Sequence, residues 1–149
     1  MINPAAQGFK QMNAKRPKVW SVNVISGTVE PLSIFCDGRP LTQTAPATVD
    51  NVSPVEYLLI AAGSCFALSC RAVLAGRHLP RVPFEVVATG EKALDSPSRL
   101  TSIALVVIFR SAIAASDAVL IAEEAKLLCT VTNTILGSPT VAVTGRAMR

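Results

Sequence analysis

The 149-residue chain is poor in the side chains on which many active sites depend. It has one histidine, one tryptophan and one tyrosine, and only 16% of its residues are charged. The histidine, His78, stands in a Gly-Arg-His-Leu-Pro connection far from any nucleophile-elbow pattern, so we interpret it as a solvent-facing loop residue. No glycine-rich phosphate loop or dinucleotide fingerprint is present. The sequence therefore gives no support to a Ser-His-Asp hydrolase or a nucleotide-dependent enzyme.

Charge and hydropathy argue against nucleic-acid and membrane partners. The net charge is +4, but the basic residues crowd the chain ends without interleaved aromatics or a recognition motif. The N-terminal segment has no apolar core of a secretory signal. The longest apolar run, residues 57–70, is shorter than the roughly 20 residues of a membrane span. We expect a cytoplasmic protein with reduced thiols that binds neither nucleic acid nor membrane.

The composition predicts a single aliphatic core. Half of the residues are hydrophobic but only 5% are aromatic, so the core must be built from Ala, Val, Leu and Ile. The small charged fraction implies more apolar surface than one monomer can hide, which predicts an oligomer. We interpret residues 1–17 as a flexible basic N-terminal arm and residues 18–149 as one domain.

The order of predicted elements indicates an α+β fold. Alternating apolar residues predict strands near 20–24, 28–36, 82–88, 100–109 and 140–144, and Asp37-Gly38 is a turn signal. One helix lies between the second and third of these strands, and another precedes the last. Neighbouring strands that pair along the chain favour an α+β fold over a doubly wound one.

The helix ends carry sequence signals. Ser53 is followed by Pro54 and, three residues later, by Glu56, which predicts a capping box at the start of the first helix. Gly76 is predicted to follow this helix as the C′ residue. For the second helix we predict a cap at Ser116 and an end at Gly137.

The four cysteines lack the paired C-x-x-C spacing of zinc sites, so we expect no metal and no bound cofactor. Cys36 and Cys70 are interpreted as small buried hydrophobic residues. Cys70 lies five positions after Cys65, about 140° further round a helix, so these two do not pair easily.

Cys65 and Cys129 differ because each is predicted in the middle of an Ala-rich helix. Small neighbours on both faces would let the helices approach closely enough for the Cα atoms to reach a disulfide distance of roughly 4.4–6.8 Å. In a reducing compartment such a pair favours a catalytic or redox-sensing role over a structural one.

Two segments around these cysteines resemble the OsmC/Ohr family. Residues 53–65, SPVEYLLIAAGSC, are similar to its N/S-P-x-E-L-L-L-x-A-x-x-x-C helix. Residues 122–134, AEEAKLLCTVTNT, are similar to its A-x-x-x-C-P-V-S-x-x-L motif, with Thr130 in place of the usual proline. The element order agrees as well, so the resemblance covers about residues 18–145.

The resemblance implies an OsmC-like α+β fold, in which an antiparallel or mixed sheet packs on two long cysteine-bearing helices, and an intertwined homodimer. It also implies thiol-dependent reduction of organic hydroperoxides in oxidative stress defence. Cys65 would be the peroxidatic thiol that becomes a sulfenic acid, and Cys129 the resolving thiol that condenses with it to a disulfide. An external thiol or dithiol would then reduce the disulfide by exchange.

The activating charges depart from the pattern of the hydroperoxidase members. Those members have an acid directly after the motif proline and an arginine near the first strands, whereas here Val55 follows Pro54. Glu56 is the nearest carboxylate, about 180° round the helix from Cys65, and Arg39 is the nearest candidate arginine. Two alternatives stay open: a non-peroxidatic OsmC-like protein that binds hydrophobic small molecules, and a thiol redox sensor.

Overall fold

A computed structural model describes residues 16–28, 32–41, 52–79, 82–111, 113–136 and 140–147. In chain order the elements are β1 (Val19–Ser26), β2 (Ser33–Cys36), β3 (Arg39–Pro40), α1 (Pro54–Gly76), β4 (Phe84–Lys92), β5 (Leu100–Phe109), α2 (Ala115–Leu128), α3 (Thr130–Thr134) and β6 (Thr140–Ala147). The predicted α+β class is confirmed. Most of the predicted basic arm, residues 1–15, lies outside the described residues.

The strands form one mixed sheet in the order β3-β2-β1-β4-β5-β6. All neighbours are antiparallel except β5 and β6, which are parallel. One face of β1, β4 and β5 is fully buried under the helices and carries mostly aliphatic side chains. Helix α1 lies close against this face, since a Cβ atom on Gly63 would stand 3.3 Å from Val24 and 3.4 Å from Ala88.

The start of α1 is as predicted, but its end is not. Ser53 and Glu56 form both hydrogen bonds of the capping box. Gly76, predicted to follow the helix, is still helical, and the left-handed C′ residue is His78, with φ 60°. Its N–H donates to Ala75 O (3.0 Å) while Leu79 N–H donates to Leu74 O (2.8 Å), the two bonds of a Schellman motif. His78 is exposed, as expected of a loop histidine.

The second helix is shorter than predicted and is interrupted. The N-cap of α2 is Ala114, which has no side-chain capping bond, so the predicted cap at Ser116 is wrong. Cys129 is not in the middle of a helix: its extended backbone (φ −78°, ψ 100°) ends α2 and starts α3. The chain resumes its helix because Asn133 N–H and the Thr132 hydroxyl both donate to Cys129 O. The predicted end at Gly137 lies outside the described residues.

The strand bounds differ in detail. The Asp37-Gly38 turn is confirmed, with φ 46° and 74°, and joins β2 to β3. β2 begins only at Ser33, and residues 29–31 and 42–51 of the predicted strand and loop lie outside the described residues. β4 runs to Lys92, four residues beyond the prediction, and β6 runs to Ala147 rather than to residue 144.

Helix α1 is longer than the apolar run that marks it in the sequence. At 23 residues it is long and apolar enough to cross a membrane, judged by length and composition alone. Half of its most apolar part is buried, and the helix packs on β1, β4 and α2. This environment is typical of the central helix of a folded domain.

Candidate functional site

The structure brings Cys65 and Cys129 together. Cys65 lies close enough to Cys129 to raise the pKa of its thiol, and both are free thiols. Cys65 comes from the middle of α1, and Cys129 from the joint between α2 and α3, which both contact α1. Cys65 is partly exposed whereas Cys129 is fully buried. A reactant in solvent therefore reaches the pair at the Cys65 sulfur.

Cys129 is held as a neutral thiol. Burial raises its pKa, and the neighbouring Cys65 raises it further, while hydrogen bonds from Thr132 act in the opposite direction without reversing the shift. Thr132 is itself buried and donates its hydroxyl to Cys129 O at 3.1 Å. Its position three residues after the cysteine predicts that Thr132 shares a helix face with Cys129, but no sequence signal indicates this hydrogen bond.

A third cysteine, Cys70 of α1, lies close to Cys129. It has no exposed surface, and its pKa is strongly raised by burial and then by the proximity of Cys129. A thiol kept protonated in this way is a poor nucleophile. The interpretation of Cys70 as a small buried hydrophobic residue agrees with this environment.

Glu56 and Arg39 form a second group at the start of α1, away from the thiol pair. Glu56 is only 5% exposed, accepts the N–H of Ser53 at 2.6 Å, and shares a hydrogen bond with the Asp37 carboxyl group. Arg39 lies close enough to act on it electrostatically. Nine residues separate Glu56 from Cys65, about 14 Å along the helix. Within one chain, the structure places these predicted charges with each other and not with Cys65.

Cys36 belongs to the Glu56 group. It is 2% exposed, and its pKa is raised by burial, then by the carboxylates of Glu56 and Asp37, with Arg39 opposing them. No sequence pattern marked this cysteine, because the contact joins the end of β2 to the first turn of α1 across the chain.

The ionisation of Glu56 should make the stability of the fold depend on pH. Burial alone would raise its pKa, but the Ser53 hydrogen bonds and the Arg39 charge hold that pKa below the ordinary value. The carboxylate therefore stabilises the fold above pH of about 4.3, and this contribution is lost as pH falls through the lowered pKa.

Urea unfolding of wild type and Glu56→Gln between pH 7 and pH 3 measures this contribution. Glutamine can keep the capping geometry, so the comparison isolates the charge. We expect the difference in free energy of unfolding in favour of wild type to be constant near neutrality and to shrink in acid. A difference that does not change with pH would leave Glu56 with a packing role only.

The helices carry exposed apolar side chains. Helix α1 exposes Tyr57 and Leu68, of which Leu68 stands three residues after Cys65, and α2 exposes further leucines, among them Leu127 at 77% exposure. Side chains of this size are seldom left in water as a group. The layer of helices therefore has a surface suited to an apolar reactant or to another protein chain.

These observations define a class of protein: an α+β domain in which two free thiols meet where a long central helix packs against an interrupted one. The chain belongs to the OsmC-like protein family, whose pattern matches residues 47–144. The resemblance seen in the two cysteine motifs is thereby confirmed. None of the curated proteins matches the sequence.

Solved structures of this family share the fold. The chain is similar to the organic hydroperoxide resistance protein OhrB of Bacillus subtilis, with 15% identity over 89% of this chain and 97% of that one, at a TM-score of 0.57. An organic hydroperoxide resistance protein from Elizabethkingia anophelis has 15% identity, 85% and 94% coverage and a TM-score of 0.59. An OsmC-like protein of unknown function from Vibrio cholerae has 20% identity, 77% and 82% coverage and a TM-score of 0.52. The predicted OsmC-like fold is confirmed.

Proposed function

We propose that the protein is a thiol-dependent reductase of organic hydroperoxides that acts in peroxide stress in the reducing cytoplasm. The observation that carries the proposal is the contact between the partly exposed Cys65 and the buried Cys129. Membership of the OsmC-like family supports it, as do the names of the two hydroperoxide resistance proteins that share the fold.

The reaction follows from the two environments. The Cys65 thiolate attacks the outer oxygen of ROOH, the O–O bond breaks, and ROH leaves with one proton while Cys65 becomes a sulfenic acid. Cys129 then loses its proton and attacks the Cys65 sulfur as the thiolate, and the displaced hydroxyl group leaves with that proton as water. Two electrons have passed from two thiols to the peroxide, and an external thiol or dithiol returns them by exchange. No metal or bound cofactor is needed in this scheme.

A homodimer forms part of the proposal. The exposed apolar side chains of α1 and α2 are the surface we expect a second copy to cover. In such a dimer, Glu56 and Arg39 of one subunit are the candidates to face Cys65 of the other and to favour its thiolate. Light scattering should give a mass twice the 15.6 kDa of the chain. A monomer at micromolar concentration would contradict this part of the proposal.

The disulfide itself provides the direct test. After one equivalent of an organic hydroperoxide, alkylation under denaturing conditions and mass spectrometry should show Cys65 joined to Cys129, with Cys36 and Cys70 still free. In Cys129→Ser the same treatment should leave a sulfenic acid on Cys65, which dimedone traps. Any other pairing, or four free thiols, would reject the assignment. A disulfide that forms without catalytic turnover would identify a redox sensor.

A further inference from the structure

A cavity lies at the first turn of α1. It has a volume of about 240 Å³ and is lined by Trp20, Val55, Lys92, Ser98, Arg99 and Leu100. Trp20 is on the same face of β1 as the buried Val22 and Val24, and so lies on the helix side of the sheet. Its cross-strand partner is Gly90, which leaves room there for the end of the Leu100 side chain. The cavity is thus a product of the fold, between the sheet, the β4–β5 connection and α1.

Cations surround the indole ring in this cavity. Lys92 and Arg99 line it, and Lys18 Nζ lies 4.8 Å from the centre of the Trp20 ring. The opposing charge is Asp95, whose two carboxylate oxygens accept hydrogen bonds from both terminal nitrogens of Arg99, at 2.9 and 3.3 Å. Glu91, next to Lys92, is exposed and alternates to the other face of β4. Three cations against one carboxylate leave the cavity positive.

The helix end contributes little to this positive charge. Pro54 has no N–H, the N–H of Glu56 donates to the Ser53 hydroxyl at 3.2 Å, and the N–H of Tyr57 donates to Ser53 O at 3.1 Å. The attraction for an anion therefore comes mainly from side chains. The volume is just below the range of about 300–1,000 Å³ usual for drug-sized ligands, which limits the occupant to about one ring.

We propose that this cavity is a binding site for a small aromatic carboxylate. The ring packs against the Trp20 indole between Val55 and Leu100, and the carboxylate pairs with Lys92 and Arg99. A flat ring suits the indole face. Lys92 is the main partner of the carboxylate and Arg99 adds its positive charge, because both terminal nitrogens of Arg99 already donate to Asp95. This site goes beyond the thiol chemistry and does not depend on it, because it lies about ten residues, roughly 15 Å of helix, from Cys65.

Trp20 is the one tryptophan of the sequence, so its fluorescence reports on this cavity alone. Titration of the full-length protein with benzoate in low salt should quench or shift the emission to saturation. Benzamide, which has the ring without the charge, and acetate, which has the charge without the ring, should have little effect at the same concentrations. Low salt matters because exposed cations are screened by ions.

Two variants test the contacts. Arg99→Gln removes a cation, and Val55→Glu places a carboxylate beside Lys92 and Arg99. Each should weaken benzoate binding by about fivefold or more. Lys126→Gln on α2 removes the same charge away from the cavity and should bind as wild type does. Circular dichroism establishes that each variant is folded.

The proposal fails if the emission changes linearly without saturation, if benzamide acts as well as benzoate, or if Arg99→Gln and Val55→Glu titrate like wild type. Cys65→Ser should bind benzoate unchanged. Loss of peroxidase activity and loss of benzoate binding are therefore separate results, and either proposal can fail alone.

Discussion

Cys65→Ser is expected to lower the rate of organic hydroperoxide consumption by about a hundredfold or more while the protein stays folded. A serine hydroxyl is not ionised near neutral pH and cannot form the sulfenic acid, so the first chemical step is lost. The side chain is only partly buried, and the change from sulfur to oxygen leaves the packing of α1 nearly unaltered. The rate is measured as loss of cumene hydroperoxide with dithiothreitol as reductant.

Cys36→Ala is the matched control for this experiment. It removes a thiol of the same chain that lies beside Glu56 and that forms no bond in the proposed reaction. Its turnover should remain close to that of wild type after correction for the folded fraction. Equal turnover in wild type and Cys65→Ser would reject the proposed function outright.

Gly145→Ala is expected to destabilise the fold by about 3 kcal/mol or more. A Cβ atom at residue 145 would overlap the carbonyl oxygen of Ala118 and lie 2.6 Å from its carbonyl carbon, and both atoms belong to the backbone of α2. Because backbone cannot move aside like the tip of a flexible side chain, β6 or α2 would have to shift. The change in free energy is measured by urea unfolding.

Gly76→Ala is expected to have the opposite effect on stability. Gly76 is the last residue of α1, and a Cβ atom there meets nothing within 4 Å. Alanine should stabilise the fold by about 0.5 kcal/mol, because it loses less backbone freedom on entering a helix. If both alanine variants had the same effect, the close approach of β6 to α2 would not be the cause.

The sequence predicted the parts of the fold that depend on local signals. The capping box at Ser53 and Glu56, the Asp37-Gly38 turn and the full extent of β5 are each encoded by neighbouring residues. The end of α1 was misplaced because glycine is the usual left-handed residue, whereas here His78 adopts that conformation two residues later.

The site was predicted in part. Cys65 and Cys129 were expected to be neighbours from two helix faces rich in small residues, and in the structure Cys65 is close enough to Cys129 to raise its pKa. The break at Cys129 was missed because no glycine or proline marks it, and Thr130 occupies the first position of α3. In the sequence, the separation of Glu56 from Cys65 was indicated only by the angle of about 180° between them on a helix, and nothing indicated where Arg39 lies. Their contact with Cys36 required the hairpin of β2 and β3 to be placed over the first turn of α1.

The break at Cys129 has a consequence for the chemistry of oxidation. To join Cys65, the Cys129 sulfur must move from a non-bonded contact to a bond of about 2.05 Å with a fixed dihedral angle. Cys65, inside a continuous helix, contributes to this movement only by rotation of its side chain. Cys129 stands instead at a joint whose φ and ψ are not those of a helix. A change of these two angles can therefore bring its sulfur to Cys65 while α2 and α3 remain helical.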